Sequence, residues 1–222
     1  MTTLPYTTSF EFLMPIGSAC RTRHQIARIQ KMRNAEYKQP TMFFDWLMAG
    51  GLPGITDILQ RNFTLDPADF SVDTMGRPEN HIPLHKPSGF RFLHDLGCSS
   101  ESRKSEAAAL EAMHKNMDEF LSKYEYLGKR TDEYLLNIES IGLVYHGRMD
   151  LKNTEKLLSI LKEKYKKNFK VIHVMEDGSH MALDMPEVIS LTVNSLSVKG
   201  TANEWMGCDN SWDAAFERIK TF

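Results

Sequence analysis

The sequence predicts an α/β fold: a central mixed or mostly parallel sheet flanked by helices, with a nucleophile at a helix N-terminus. Two observations carry the fold class. The C-terminal third alternates strand, helix and strand at the spacing of a βαβ unit, with Ile141 to Tyr145 as a strand, Asn153 to Lys167 as a helix, and Val171 to Met175 and Val188 to Val193 as further strands. An apolar run near the N-terminus, Ser9 to Ile16, is stopped by Pro15 and Gly17 and followed directly by a helical pattern. The length of 222 residues fits one α/β domain over 1–222, and 41% hydrophobic with 25% charged residues excludes a chain that stays disordered.

The elements follow in order. Ala19 to Ala35 reads as a helix with the stripe Ile26, Ile29 and Met32, and Gly17 and Ser18 stand at its entrance. Phe43-Phe44-Asp45-Trp46 leads through a Gly-Pro joint to a short helix at Ile55 to Gln60. The stretch at about 62–88, with Pro67, Pro78, Pro83 and Pro87, reads as a Pro-rich loop region. Phe90, Phe92 and Leu93 form a short strand running into His94-Asp95. Glu101 to Tyr126 is predicted to be one long helix, from the spacing of Leu110, Met113, Met117, Phe120, Leu121 and Tyr124. Five lysines between Lys162 and Lys170 sit where cations complement a helix C-terminus, and a last helix spans Asp213 to Ile219.

Composition narrows the function. A net charge of -2 lacks the basic excess used to neutralise nucleic-acid phosphates, so nucleic acid is not an expected partner. No basic residue precedes Arg21, so neither region of a secretory leader is expected, and the run from Met42 to Ile55 is too short and too broken to cross a bilayer core of about 30 Å. The three cysteines argue for a reducing compartment; the expectation is a cytoplasmic protein without a membrane segment. The cysteines at 20, 98 and 208 are isolated, and no Cys-x-x-Cys or His-Glu-x-x-His motif and no phosphate-binding glycine pattern occurs, so neither metal nor cofactor is expected.

A thiol is reactive as thiolate, favoured at a helix N-terminus beside cations. Cys20 meets both conditions in the sequence, with Arg21, Arg23 and His24 following it and small residues before it that allow a carbonyl to approach the backbone. A nucleophilic cysteine needs a base from elsewhere in the chain. His94, at a strand end, is the preferred candidate; His24 lies on the same helix face as Cys20, and His146 and His180, at strand-end or loop positions, stay open. His81, His85, His114 and His173 read as structural or solvated. Asp45, set among Phe43, Phe44 and Trp46, must be paired or hydrogen-bonded; it serves either to orient a histidine or to anchor a loop.

Ile16-Gly17-Ser18-Ala19-Cys20, Phe43-Phe44-Asp45-Trp46, Phe92-Leu93-His94-Asp95, a strand ending near Gly147-Arg148, and Trp205-Met206-Gly207-Cys208-Asp209-Asn210-Ser211-Trp212 resemble, in that order over most of the chain, a bacterial family of unknown function described as papain-like cysteine peptidases. The resemblance implies Cys20 as nucleophile, His94 as base and Asp45 or Asp95 as the orienting acid. Gly17, Ser18, Arg21 and Trp46 then fall at the substrate and oxyanion side. The chain departs from the expected pattern in having Gly-Ser-Ala before the thiol, which leaves the oxyanion donors unassigned. The activity expected is attack on an amide or ester bond, ending in hydrolysis or acyl transfer, with a peptide, a glycan-linked compound or a small acyl compound as substrate. Two alternatives stand beside it: a non-catalytic module that binds carbohydrate or protein through the aromatic segments 43–46 and 205–212, and a serine esterase-like hydrolase using Ser18.

Overall fold

The computed structural model describes residues 7–17, 20–178, 182–194 and 204–222. Among these, the chain runs β1 (Thr8–Phe10), β2 (Phe12–Pro15), α1 (Cys20–Arg33), β3 (Met48–Ala49), α2 (Gly51–Gln60), β4 (Phe70–Asp73), β5 (Ile82–His85), β6 (Phe90–Arg91), α3 (Glu106–Lys115), α4 (Met117–Asn137), β7 (Ile141–His146), α5 (Leu151–Tyr165), β8 (Lys170–Glu176), β9 (Val188–Val193), α6 (Asp209–Ala215) and β10 (Ile219–Thr221).

The centre is an all-parallel sheet in the order β2-β7-β8-β9. The strands β2, β7 and β8 are nearly continuous buried runs because helices cover both faces there, whereas the edge strand β9 alternates buried with more exposed positions. Side-chain alternation divides them cleanly. Leu13, Val144, Ile172 and Val174 pack on one face with Ile26 and Ile29 of α1 and with Trp212 and Phe216 at and just beyond α6. Met14, Leu143, Tyr145 and Val171 pack on the other with Ile55, Ile58 and Leu59 of α2 and Leu157 and Leu161 of α5. The predicted βαβ unit is β7-α5-β8. Asp150 caps α5 by accepting from the Asn153 N–H at 2.9 Å, and Lys166 closes it in the left-handed conformation at φ 57°.

Three expectations are corrected. The stretch at 62–88 is not loop throughout: β4 and β5 lie in it and join β6 and β3 in an antiparallel sheet of order β3-β6-β5-β4. Pro83 is tolerated inside β5 because its carbonyl, accepting from Phe92 N at 3.0 Å, makes the contact there and no donor is called for. The long helix expected from Glu101 begins only at Glu106, where Ser105 caps α3, and breaks at Asn116. The Asn116 side chain bonds Ala112 O at 2.7 Å, an alternative to continued helix that asparagine offers. Beyond the break α4 runs on to Asn137, carried by the buried stripe Leu127, Thr131 and Leu135. The last helix lies earlier than expected, at Asp209–Ala215, and Ile219–Thr221 instead pairs as β10 with β1.

Close approaches fix how the antiparallel sheet sits against α2. A Cβ at Gly54 would lie 2.2 Å from the carbonyl oxygen of Ser88, on the connection between β5 and β6. Gly54→Ala is therefore expected to lower stability by about 3 kcal/mol, the upper range for overpacking. Urea unfolding midpoints check this, and a loss below about 1 kcal/mol would show that the two segments separate easily.

Candidate active site

Cys20 is the first described residue of α1, beyond the carboxyl end of β2. Ligand chemistry in parallel sheets collects at that edge. The turn proposed to precede the thiol lies partly outside the described residues, Ser18 included. Gly17 is described, has φ 72°, and would bring a Cβ to 3.2 Å of the Phe90 ring, so its backbone sits where a side chain has little room.

His94 follows β6 in an exposed turn, and its Nε2 lies 3.7 Å from Cys20 Sγ although the two are 74 residues apart in sequence. The third participant is Trp46. Its carbonyl lies 3.8 Å from Cys20 Sγ and its indole meets the His94 ring edge-on at a centroid distance of 6.0 Å. Trp46 has φ 65°, a left-handed conformation that costs a bulky residue on the order of 1–2 kcal/mol. It is held there by its neighbours: Phe43 and Phe44 are buried, Phe43 N–H donates to Thr131 Oγ1, and the Asp45 carboxylate accepts from Arg23 Nε at 2.6 Å and Met42 N at 3.0 Å.

A thiol has one proton and here two acceptors. Trp46 O keeps the proton on sulfur, and His94 Nε2 takes it when its proton sits on Nδ1. Burial pushes the Cys20 thiol above its ordinary value, opposed in part by its own backbone N–H. The cations expected to depress it are engaged elsewhere. Arg21 pairs with Glu176 at 2.5 Å and donates to Trp205 O at 3.0 Å, and Arg23 pairs with Asp45. The electropositive setting expected from the sequence is thus neutralised by carboxylates distant in the chain.

The orienting acids sit in other bonds. Asp45 holds Arg23 and the 42–46 turn, while Asp95 accepts from Lys123 Nζ and from Tyr124 OH at 3.0 Å, which ties the His94 turn to α4. Of the other histidines, His24 packs edge-on against Trp205, and His146 lies 3.4 Å from Glu176 and is pushed down to about 4, chiefly by burial and then by Arg21. His85 is buried against Ser88 Oγ at 2.8 Å, and His173 meets Gly147 O at 2.8 Å. His180 lies outside the described residues. Trp212 is fully buried and stacked on Phe216, so the 205–212 segment cannot present both of its indoles to a partner.

Cys20, Arg21, Trp46 and His94 line one open cleft of about 850 Å³, with Met48, Leu93 and Trp205 completing its walls. Met48 and Leu93 were not singled out by the sequence; their signal is only that each lies within two residues of Trp46 or His94. Among the described residues no helix is long and apolar enough to cross a membrane, and no cluster of His, Cys, Asp and Glu side chains is set to hold a metal ion. No family model matches this chain, and neither a curated protein nor a solved structure does.

Two outcomes follow. The ultraviolet thiolate absorbance that distinguishes the protein from Cys20→Ala should be absent at neutral pH and emerge only on titration beyond the ordinary thiol value of 9.0; a neutral-pH thiolate signal would mean a preformed ion pair. Arg23→Leu leaves Asp45 buried without its counter-ion and should cost about 3 kcal/mol at neutral pH. Burial raises Asp45 to about 6. The deficit should therefore shrink as the pH falls through that value, because Asp45 then protonates in both proteins. Urea midpoints above and below it decide, and a pH-independent deficit would assign the loss to packing.

Proposed function

We propose that the chain is a thiol enzyme of acyl transfer, with Cys20 as nucleophile and His94 as general base. The observation that carries this reading is the 3.7 Å approach of Cys20 Sγ to His94 Nε2 at the wall of the large cleft. The resemblance to papain-like cysteine peptidases points to the same two residues. Apo sites often hold the nucleophile and base slightly beyond ideal hydrogen-bond reach and tighten on substrate.

Because burial disfavours the thiolate, proton transfer accompanies attack and does not precede it. Cys20 Sγ bonds to the acyl carbon as its proton moves to His94 Nε2, and the carbonyl electron pair moves to oxygen. Backbone N–H groups at the start of α1, with Gly17 and Ser18 ahead of it, are the candidates to receive that oxyanion. Collapse expels an amine or alcohol, which takes the proton back from His94. Water, deprotonated by the same nitrogen, then hydrolyses the thioester, or another nucleophile accepts the acyl group. In this reading the T-shaped contact with the Trp46 indole fixes the His94 ring, a task more commonly given to a carboxylate or amide. Arg21, pairing Glu176 and the 205 carbonyl, holds the rim of the cleft.

With p-nitrophenyl acetate, the protein should release a stoichiometric burst of nitrophenolate. Cys20→Ala abolishes the burst and His94→Ala slows it about 100-fold, the low end of what a positioned base contributes. A burst that survives Cys20→Ala would overturn the reading.

A further inference from the structure

The walls of the cleft differ in kind from its reactive end. Cys20 and His94 stand together, and the rest of the lining among the described residues is Trp46, Met48, Leu93, Trp205 and Arg21. Apart from the indole N–H groups, the first four of these side chains carry nothing that donates or accepts a conventional hydrogen bond. Trp205 is 42% exposed, which leaves a large indole open to whatever enters, and its ring meets that of His24 in a T-shaped contact at 5.3 Å. Exposed apolar surface of this kind on a rigid frame marks a binding site. Met48 adds an unbranched, polarisable side chain that adapts to irregular apolar shapes. A volume of about 850 Å³ lies within the range of pockets that take a whole small molecule.

Charge argues in the same direction. Among the described residues that line the cleft, the arginine is Arg21; it is held at 2.5 Å by Glu176 and also donates to Trp205 O, so a substrate carboxylate or phosphate would compete with an existing ion pair. A charged group placed among the tryptophans would lose its hydration without a partner. A peptide chain would bring a row of backbone donors and acceptors to walls that answer few of them.

The geometry points to an uncharged, apolar acyl group, aliphatic or aromatic, as the substrate moiety: its carbonyl carbon lies against Cys20 Sγ on the cleft side of the Cys20–His94 contact, and its hydrocarbon lies among Trp46, Met48, Leu93 and Trp205. This rests on the acyl-transfer reading above. The covalent step is the one already described. The Sγ–carbon bond forms, the bond to the oxygen, sulfur or nitrogen of the leaving group breaks, and that group departs with the proton held by His94.

The test is the Cys20-dependent burst rate, normalised to hydroxide hydrolysis, across p-nitrophenyl esters of acetic, butyric, hexanoic, phenylacetic, succinic and 3-acetamidopropanoic acids. Each methylene that leaves water is worth about fourfold in rate, so the hexanoyl and phenylacetyl esters should exceed acetyl by at least about tenfold. The succinyl and acetamidopropanoyl esters should fall below hexanoyl by a similar factor. Trp205→Ala and Met48→Ala should each compress the ratio of hexanoyl to acetyl, a comparison internal to each variant. A flat or falling series with the acetyl burst intact would overturn the substrate class and leave the thiol chemistry standing; preference for the acetamidopropanoyl ester would turn it toward peptides, and preference for succinyl toward anions. No Cys20-dependent burst with any ester would remove both.

Discussion

The site depends on one buried ion pair. Arg23 leaves the first turn of α1 and meets Asp45 at 2.6 Å, inside a turn whose Phe43 and Phe44 are sunk into the core. That contact fastens the helix carrying Cys20 to the loop carrying Trp46. Breaking it strands one charge in a low-dielectric setting, which costs far more than the intact pair contributes. The left-handed backbone of Trp46 persists only because this anchoring over-determines it. One strained residue then meets Cys20 and His94 both, with its carbonyl near the thiol and its indole in a T-shaped contact with the imidazole.

The second constraint is electrical. Two arginines follow Cys20 in the chain, and a reader of the sequence alone assigns them to the thiol. Both are paired with acids, Glu176 at the end of β8 and Asp45, so their charges fasten segments together. Neither arginine offsets the burial of Cys20, and that burial holds its thiol above the ordinary value. A raised thiol disfavours a resting thiolate at neutral pH.

Much of the central sheet was legible because its signals are local. The buried runs at 141–146 and 170–176 and the helix between them follow from apolar continuity and the strand–helix–strand spacing; the Asp150 cap that starts α5 at Leu151 was not read. The antiparallel sheet was not legible: β4 and β5 owe their pairing to partners across a Pro-rich stretch, and prolines hide a strand whose donors are not needed. The break at Asn116 hides for a related reason. The apolar spacing continues through it, and only the asparagine side chain turning back to Ala112 O interrupts the helix. At the site, Cys20, His94, Trp46 and Arg21 come together as one cleft, drawn from positions far apart in sequence. The parts that local reading could not resolve are the pairings: Asp95 goes to Lys123 and Tyr124, and Asp45 to Arg23, because α1 and α4 reach those carboxylates. The aromatic character of 205–212 was visible, but of its two tryptophans Trp212 lies in the core and Trp205 is exposed, a division set by α6 packing on the sheet.

The central claim is that Cys20 carries the acyl group. Acid-quenching the protein within the burst and locating the acyl mass by peptide mapping tests it without reference to rate. The account predicts one acyl group per chain on Cys20, with the adduct missing in Cys20→Ala; an adduct on Ser18, on Cys98 or on Cys208, or none at all, would contradict it.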